Sequence, residues 1–169
     1  MTQFTPKSAA LFALASLTMA LLMQACGGSD ESHAQAATAP VADPLEGFWQ
    51  SSVALQDCGT GAPLGGFRGL PTFAASGTAT ADTNQPPMTK GTAIGTWKKT
   101  PTGTYLAELR FWRYQPDGTP TGQQRLTRTI TLAPDGKSLT ATISSVSLDP
   151  ADNAVRTVCG TENGARVNA

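Results

Sequence analysis

"TYLAELRFWRYQPDGTPTGQQRLTRTITL", residues 104–132, decides the fold. Two runs alternate apolar with polar side chains, first Tyr105, Ala107, Leu109 and Phe111, then Leu126, Arg128 and Ile130, on either side of "QPDGTPTGQ". A period of two puts one face of each run against a core, and a Pro-Asp-Gly segment between them makes an antiparallel turn. The same grammar continues downstream, where "LTATISSVSLD" (139–149) and "AVRTVCGTENGARV" (154–167) are joined by "APDGKS" and "PADN". Upstream, "GFWQSSVAL" (47–55) sets Trp49, Ser51, Val53 and Leu55 against Phe48 and Gln50 and reads as a first strand. "GLPTFAA" with "GTATA" gives a weaker second stretch, and "AIGTWKK" (93–99) gives a further strand after a proline-containing loop over 82–92. Sequential strands joined by short turns form a meander, and closing it removes edges that would invite aggregation. The expected fold is therefore all-β, an antiparallel up-and-down β-barrel of about eight strands over residues 44–169.

With the hairpin turn centred near Asp117-Gly118, Leu109 is expected opposite Arg128, Phe111 opposite Leu126 and Ala107 opposite Ile130. That places Arg128 on the inward face, where a guanidinium needs a carboxylate, backbone carbonyls, water or an anionic ligand group. Trp112 and Arg125 are expected to stack on the outside. Arg128, Trp97, Leu109 and Phe111 are the candidate residues lining a ligand site.

The 169 residues carry no net charge and only 14% are charged. Neither an acidic nor a basic excess points to nucleic acid or to a strongly charged partner. The barrel segment has no histidine, no nucleophile elbow, no phosphate loop and no zinc spacing. Its carboxylates, Glu162 among them, are read as lying mostly in turns or at strand ends, so no catalytic residues, no cofactor and no metal are expected and the chain is read as non-enzymatic.

Lys7 followed by "AALFALASLTMALLM" (9–23) has the form of an export signal. Leu22-Met23-Gln24-Ala25-Cys26 resembles the box of a bacterial lipoprotein, in which the cysteine is lipidated and becomes the new N-terminus. The resemblance implies a signal peptide over 1–25, an acylated Cys26 that anchors the chain to a membrane, and a flexible linker over 26–43. Gly27 after that cysteine, rather than Asp, is similar to the pattern sorted to the outer membrane. His33 lies in the linker and has no partners at ligand spacing.

"GFW" (47–49) and "GAR" (164–166) together resemble the calycin superfamily of lipocalins and avidins. There a Gly-x-Trp opens the first strand and an Arg from the last strand packs on that tryptophan at the closed end. The resemblance assigns Trp49 and Arg166 to barrel closure. "CGTGAPLGGF" (58–67), "GTW" (95–97), "FWRYQPDGTPTGQQRLTRTI" (111–130) and "TVCGTENGARV" (157–167) also resemble a family of bacterial secreted or lipid-anchored domains, which brings no activity with it. Once Cys26 is lipidated, Cys58 and Cys159 remain, and an exported domain meets an oxidising compartment, so they are expected to form a disulfide. The functional expectation is a lipid-anchored envelope barrel binding a small apolar ligand. The rival is a filled barrel whose loops, notably 59–69 and 82–92, meet an envelope protein as an inhibitor or assembly factor would. Oligomeric state is left open.

Overall fold

The computed structural model describes residues 41–167. The segment read as a signal peptide, Cys26, His33 and the expected linker up to residue 40 lie outside the described residues. Eight strands follow one another in chain order: β1 (Gly47–Gln56), β2 (Pro63–Phe73), β3 (Thr78–Thr83), β4 (Ala93–Lys99), β5 (Tyr105–Tyr114), β6 (Pro120–Leu132), β7 (Ser138–Leu148) and β8 (Ala154–Arg166). Each pairs antiparallel with its neighbour and β8 returns to β1, so the sheet is a closed up-and-down barrel. A short 3-10 turn, Pro87–Thr89, sits in the β3–β4 connection.

The weak stretch after the first strand is two full strands. β2 starts at Pro63, inside a Gly- and Pro-rich passage without alternation, so most of 59–69 is strand rather than loop. The connection expected over 82–92 begins at residue 84.

The β5–β6 register differs by two residues from the expected one. Arg128 lies opposite Ala107, Leu126 opposite Leu109, Gln124 opposite Phe111 and Ile130 opposite Tyr105. The cause is a tighter turn than "QPDGTPTGQ" suggests. The loop closes already at 115–119, where the Gly118 N–H donates to the Gln115 carbonyl and the Gln115 N–H to the Thr119 carbonyl, both at 2.9 Å. Pro120 to Gln123 therefore join the ladder, with an irregularity after Arg113. Gly122 absorbs it at φ 107°, where a Cβ would lie 2.1 Å from the Leu148 carbonyl oxygen. An even slip leaves every side chain on its own face, so Arg128 still points inward. It separates the expected exterior pair, however: Trp112 lies opposite Gln123 and Arg125 opposite Arg110.

One end of the barrel is filled. Trp49, Phe73, Tyr105, Leu109, Ile130 and Leu139 are all at most 2% exposed, and alanines at 79, 107 and 141 give the large side chains room. Eight strands enclose an interior that side chains can just fill. Trp97 meets Phe73 edge-on at 6.1 Å and tilts against Tyr105 at 5.8 Å, while its Nε1 donates to the Ala74 carbonyl at 2.9 Å. Burial, and secondarily the neighbouring Asp43 carboxylate, pushes the Tyr105 phenol up to about 12.

A latch seals this end. Arg166, opposite Trp49 in the β1–β8 ladder, lays its guanidinium 4.4 Å from the Trp49 ring centroid. It donates from Nε to the Gly136 carbonyl at 3.0 Å, from Nη1 to the Glu46 carbonyl at 2.6 Å, and from Nη2 to the Pro44 carbonyl. Fully buried Leu45 plugs the end and accepts the Trp49 indole N–H at 3.0 Å. Gly47 has φ 122°, and a Cβ there would stand 2.8 Å from Arg166 Nη1. The Gly-x-Trp spacing is thus dictated by the arginine that needs the space.

At the opposite end, Cys58 and Cys159 form a disulfide spanning 101 residues with their Cα atoms 5.0 Å apart. It ties the chain leaving β1 to β8, and closure of so long a loop is worth up to about 4.7 kcal/mol on chain-entropy grounds. The connecting turns are held by aspartates. Asp57, Asp117 and Asp149 accept the backbone N–H groups of Thr60, Thr119 and Asn153, and these bonds hold all three carboxyls below the usual range.

Replacing Gly47 with Ala forces a β-carbon into the arginine's place at a backbone angle that only glycine adopts freely. The expected loss is about 1–3 kcal/mol, read as a lowered urea midpoint. A Gly47→Ala midpoint equal to that of the parent would contradict the latch.

Candidate functional site

The open half of the barrel encloses a cavity of about 340 Å³. Its apolar lining comes from Val53 and Leu55 of β1, Phe67 of β2, Phe111 of β5, Leu126 of β6 and Ile143 of β7. This volume lies at the lower end of the roughly 300–1,000 Å³ of small-molecule pockets.

The floor is polar. Arg128 reaches from β6 to Glu162 on β8, and the two form an ion pair with side chains only 3% and 2% exposed. The Arg128 guanidinium also lies 5.7 Å from the Phe73 ring centroid on β2. One side chain therefore crosses the barrel and divides the packed half from the hollow half. Two further atoms at this level, Arg128 Nε and Ser51 Oγ, are buried without a hydrogen-bond partner among the described residues.

One wall carries a closed polar chain, in which Gln124 donates to Ser145 Oγ at 2.7 Å and accepts from the Ser147 hydroxyl at 2.9 Å. Near the mouth, Lys90 is buried on Asp82 at 3.2 Å and stands 5.6 Å from the Phe111 ring centroid. The Thr83 N–H first, and Lys90 second, hold the Asp82 carboxyl below its usual range. Arg113 donates through Nη2 to the carbonyls of Thr121 and Leu148 at 3.1 and 3.0 Å. With Arg156 these make four cations against two carboxylates around the cavity.

Of the residues expected to line a site, Arg128 and Phe111 face this cavity. Leu109 and Trp97 lie in or against the packed half. Arg128 already has its counter-ion in Glu162, so it is not a free cation awaiting a ligand carboxylate. Glu162 is neither in a turn nor at a strand end: it stands inside β8, in the same inward phase as Gly160, Gly164 and Arg166. That phase was available from Arg166, since residues four apart on a strand share a face. Among the described residues no three His, Cys, Asp or Glu side chains converge as metal ligands would.

The arrangement is a vessel: sealed by Trp49 and Arg166, floored by an ion pair, walled by aliphatic and aromatic side chains, and open at one end. This is an eight-stranded antiparallel barrel consistent with a calycin-like fold. No family model matches the chain, and no curated protein matches it in sequence.

Glu162→Gln leaves the Arg128 charge buried without its counter-ion and is expected to lower stability by about 3–5 kcal/mol. The double variant Arg128→Met with Glu162→Leu removes both charges and is expected to stay near or above the parent stability. Urea unfolding of the three proteins checks this, and equal losses for the single and the double variant would contradict the pairing.

Proposed function

We propose that this chain is a lipid-anchored cell-envelope protein whose barrel holds a small apolar ligand without transforming it. The observation that carries the reading is the 340 Å³ cavity with its aliphatic and aromatic lining between polar side chains, because a barrel serving only as a scaffold has no need of an unfilled half. Water in such a space gains little from aliphatic walls, and an apolar ligand that replaces it contributes about 25 cal/mol per Å² of apolar surface buried.

The outward faces of β6 and β7 present threonine, serine and arginine, as at Thr127, Thr129, Thr140 and Ser144. That surface suits water rather than lipid tails, so the barrel is not read as membrane-spanning. Membrane attachment in this reading comes from Cys26, whose acyl chains would hold the domain at the envelope, in the outer membrane by the residue that follows it. The described chain enters at the sealed end, through Leu45 and Gly47, so the mouth lies at the far end from the entering segment.

Titration of the intact protein with a panel of lipophilic ligands, followed by displacement of a neutral naphthylamine reporter, tests the cavity. Saturable binding at micromolar concentrations is expected, with at least a tenfold loss for Val158→Trp, which fills the hollow half. Binding that survives this substitution would place the ligand elsewhere. Metabolic labelling with palmitate is expected to mark the parent protein and not Cys26→Ser. Label persisting in the variant would remove the lipid anchor from the reading.

A further inference from the structure

The charges around the cavity do not balance. Its lining carries Lys90, Arg113, Arg128 and Arg156 against Asp82 and Glu162, an excess of two cations. Lys90 is paired with Asp82 and Arg128 with Glu162, whereas Arg113 and Arg156 form no ion pair among the described residues. Asp57, the carboxyl that the charge of Arg156 reaches, is engaged through Oδ1 by the Gly59 and Thr60 N–H groups. The excess is also placed unevenly. Arg128 and its counter-ion form the floor, while Arg113, near the end of β5, and Arg156, near the start of β8, stand at the mouth.

Strand pairing brings these two together. Arg113 reaches past β6 to donate through Nη2 to the Leu148 carbonyl on β7, and Arg156 lies on β8 opposite Ser147, the residue before that leucine. Gly122, opposite Arg113 on the intervening strand, leaves the path without a side chain. The end of β7 is therefore flanked by two guanidinium groups that no carboxylate balances. Three side-chain atoms around the cavity, Ser51 Oγ, Arg128 Nε and Arg113 Nε, are closed off without a partner, and none of them is offered to a ligand. What Arg113 presents is Nη1, which is neither bonded within the described residues nor among those closed atoms, and Arg156 is exposed.

We infer that the ligand is a single-chain amphiphile with an anionic head that enters tail first, its chain above the Arg128–Glu162 pair and its head held at the mouth by Arg113 and Arg156. This rests on the ligand-binding reading and specifies its ligand. A guanidinium offers N–H donors in a plane that matches an oxyanion, and a head at the opening keeps part of its hydration. Below it the chain meets Val53, Leu126 and Ile143. The opposite orientation is unfavourable, because a head at the floor meets a pair whose charges already cancel and adds a second anion beside Glu162.

The test uses chains of similar length, decanoate, methyl nonanoate, decylamine and decanedioate, displacing the naphthylamine reporter from the intact protein. Decanoate is expected to bind about tenfold more tightly than the ester, and decylamine more weakly than either. Decanedioate, which has to carry its second carboxylate to the floor, is expected to bind about tenfold more weakly than decanoate. Arg156→Met changes an exposed side chain, and Arg113→Gln keeps an amide N–H for the carbonyls; each is expected to weaken decanoate about threefold to tenfold and to affect the ester less. An ester that binds as tightly as decanoate, a loss in both variants equal for acid and ester, or a diacid bound as tightly as decanoate would overturn the tail-first anion and leave the cavity reading standing. Failure of the reporter and all the chains to bind would overturn the ligand-binding reading itself.

Discussion

Everything in this molecule depends on β1 meeting β8. A meander of eight strands is an open sheet with two exposed edges until its first and last members pair, and an open edge is a template for aggregation. Here the meeting is fastened at both ends. Arg166 stacks on Trp49 and binds three carbonyls at one end, and the Cys58–Cys159 disulfide joins the strands at the other. The first fastening is also a plug, because the carbonyls that Arg166 takes from Pro44 and Glu46 draw Leu45 under the tryptophan. Closure and sealing are thus one act, and among the described residues the other end is left open along the barrel axis.

A second constraint follows from an inward-facing arginine. The interior of a small barrel offers little water, so Arg128 has to find its counter-charge within the wall, and Glu162 supplies it from β8, one strand beyond the neighbouring β7. Ion pairs of this kind add little to stability, since desolvation offsets most of their attraction. What the pair does here is divide. Below it, Ile130, Leu139 and Tyr105 pack without space, and above it the side chains stop short. A leucine at position 128 would remove the divider and leave the Glu162 carboxylate buried without its counter-ion.

Much of this was legible in the residues. Alternation located β1 and β5 to β8, the Asp-Gly turns made them antiparallel, and Gly47, Trp49 and Arg166 pointed to the closed end. What escaped has physical causes. β2 opens with Pro-Leu-Gly-Gly, where missing side chains erase the alternation that marks a strand. The β5–β6 register hinged on where a loop closes, and the bulge at Gly122 cannot be read from turn residues alone. Leu109 and Trp97 share their faces with true lining residues, and only their depth along the barrel separates packed from hollow. Glu162 was hidden by habit, because carboxylates usually sit in turns, yet its phase with Arg166 shows it facing inward.

The central claim is that the barrel is solid below the Arg128–Glu162 pair and receives ligand above it. Methyl NMR spectra of the intact protein titrated with methyl nonanoate address it directly. The account predicts shifts confined to methyls above the pair, at Val53, Leu126, Ile143 and Val158, with Ile130 and Leu139 below it unmoved. Shifts spread across the packed half, or found only on the outer face at Ile94 and Leu70, would contradict it.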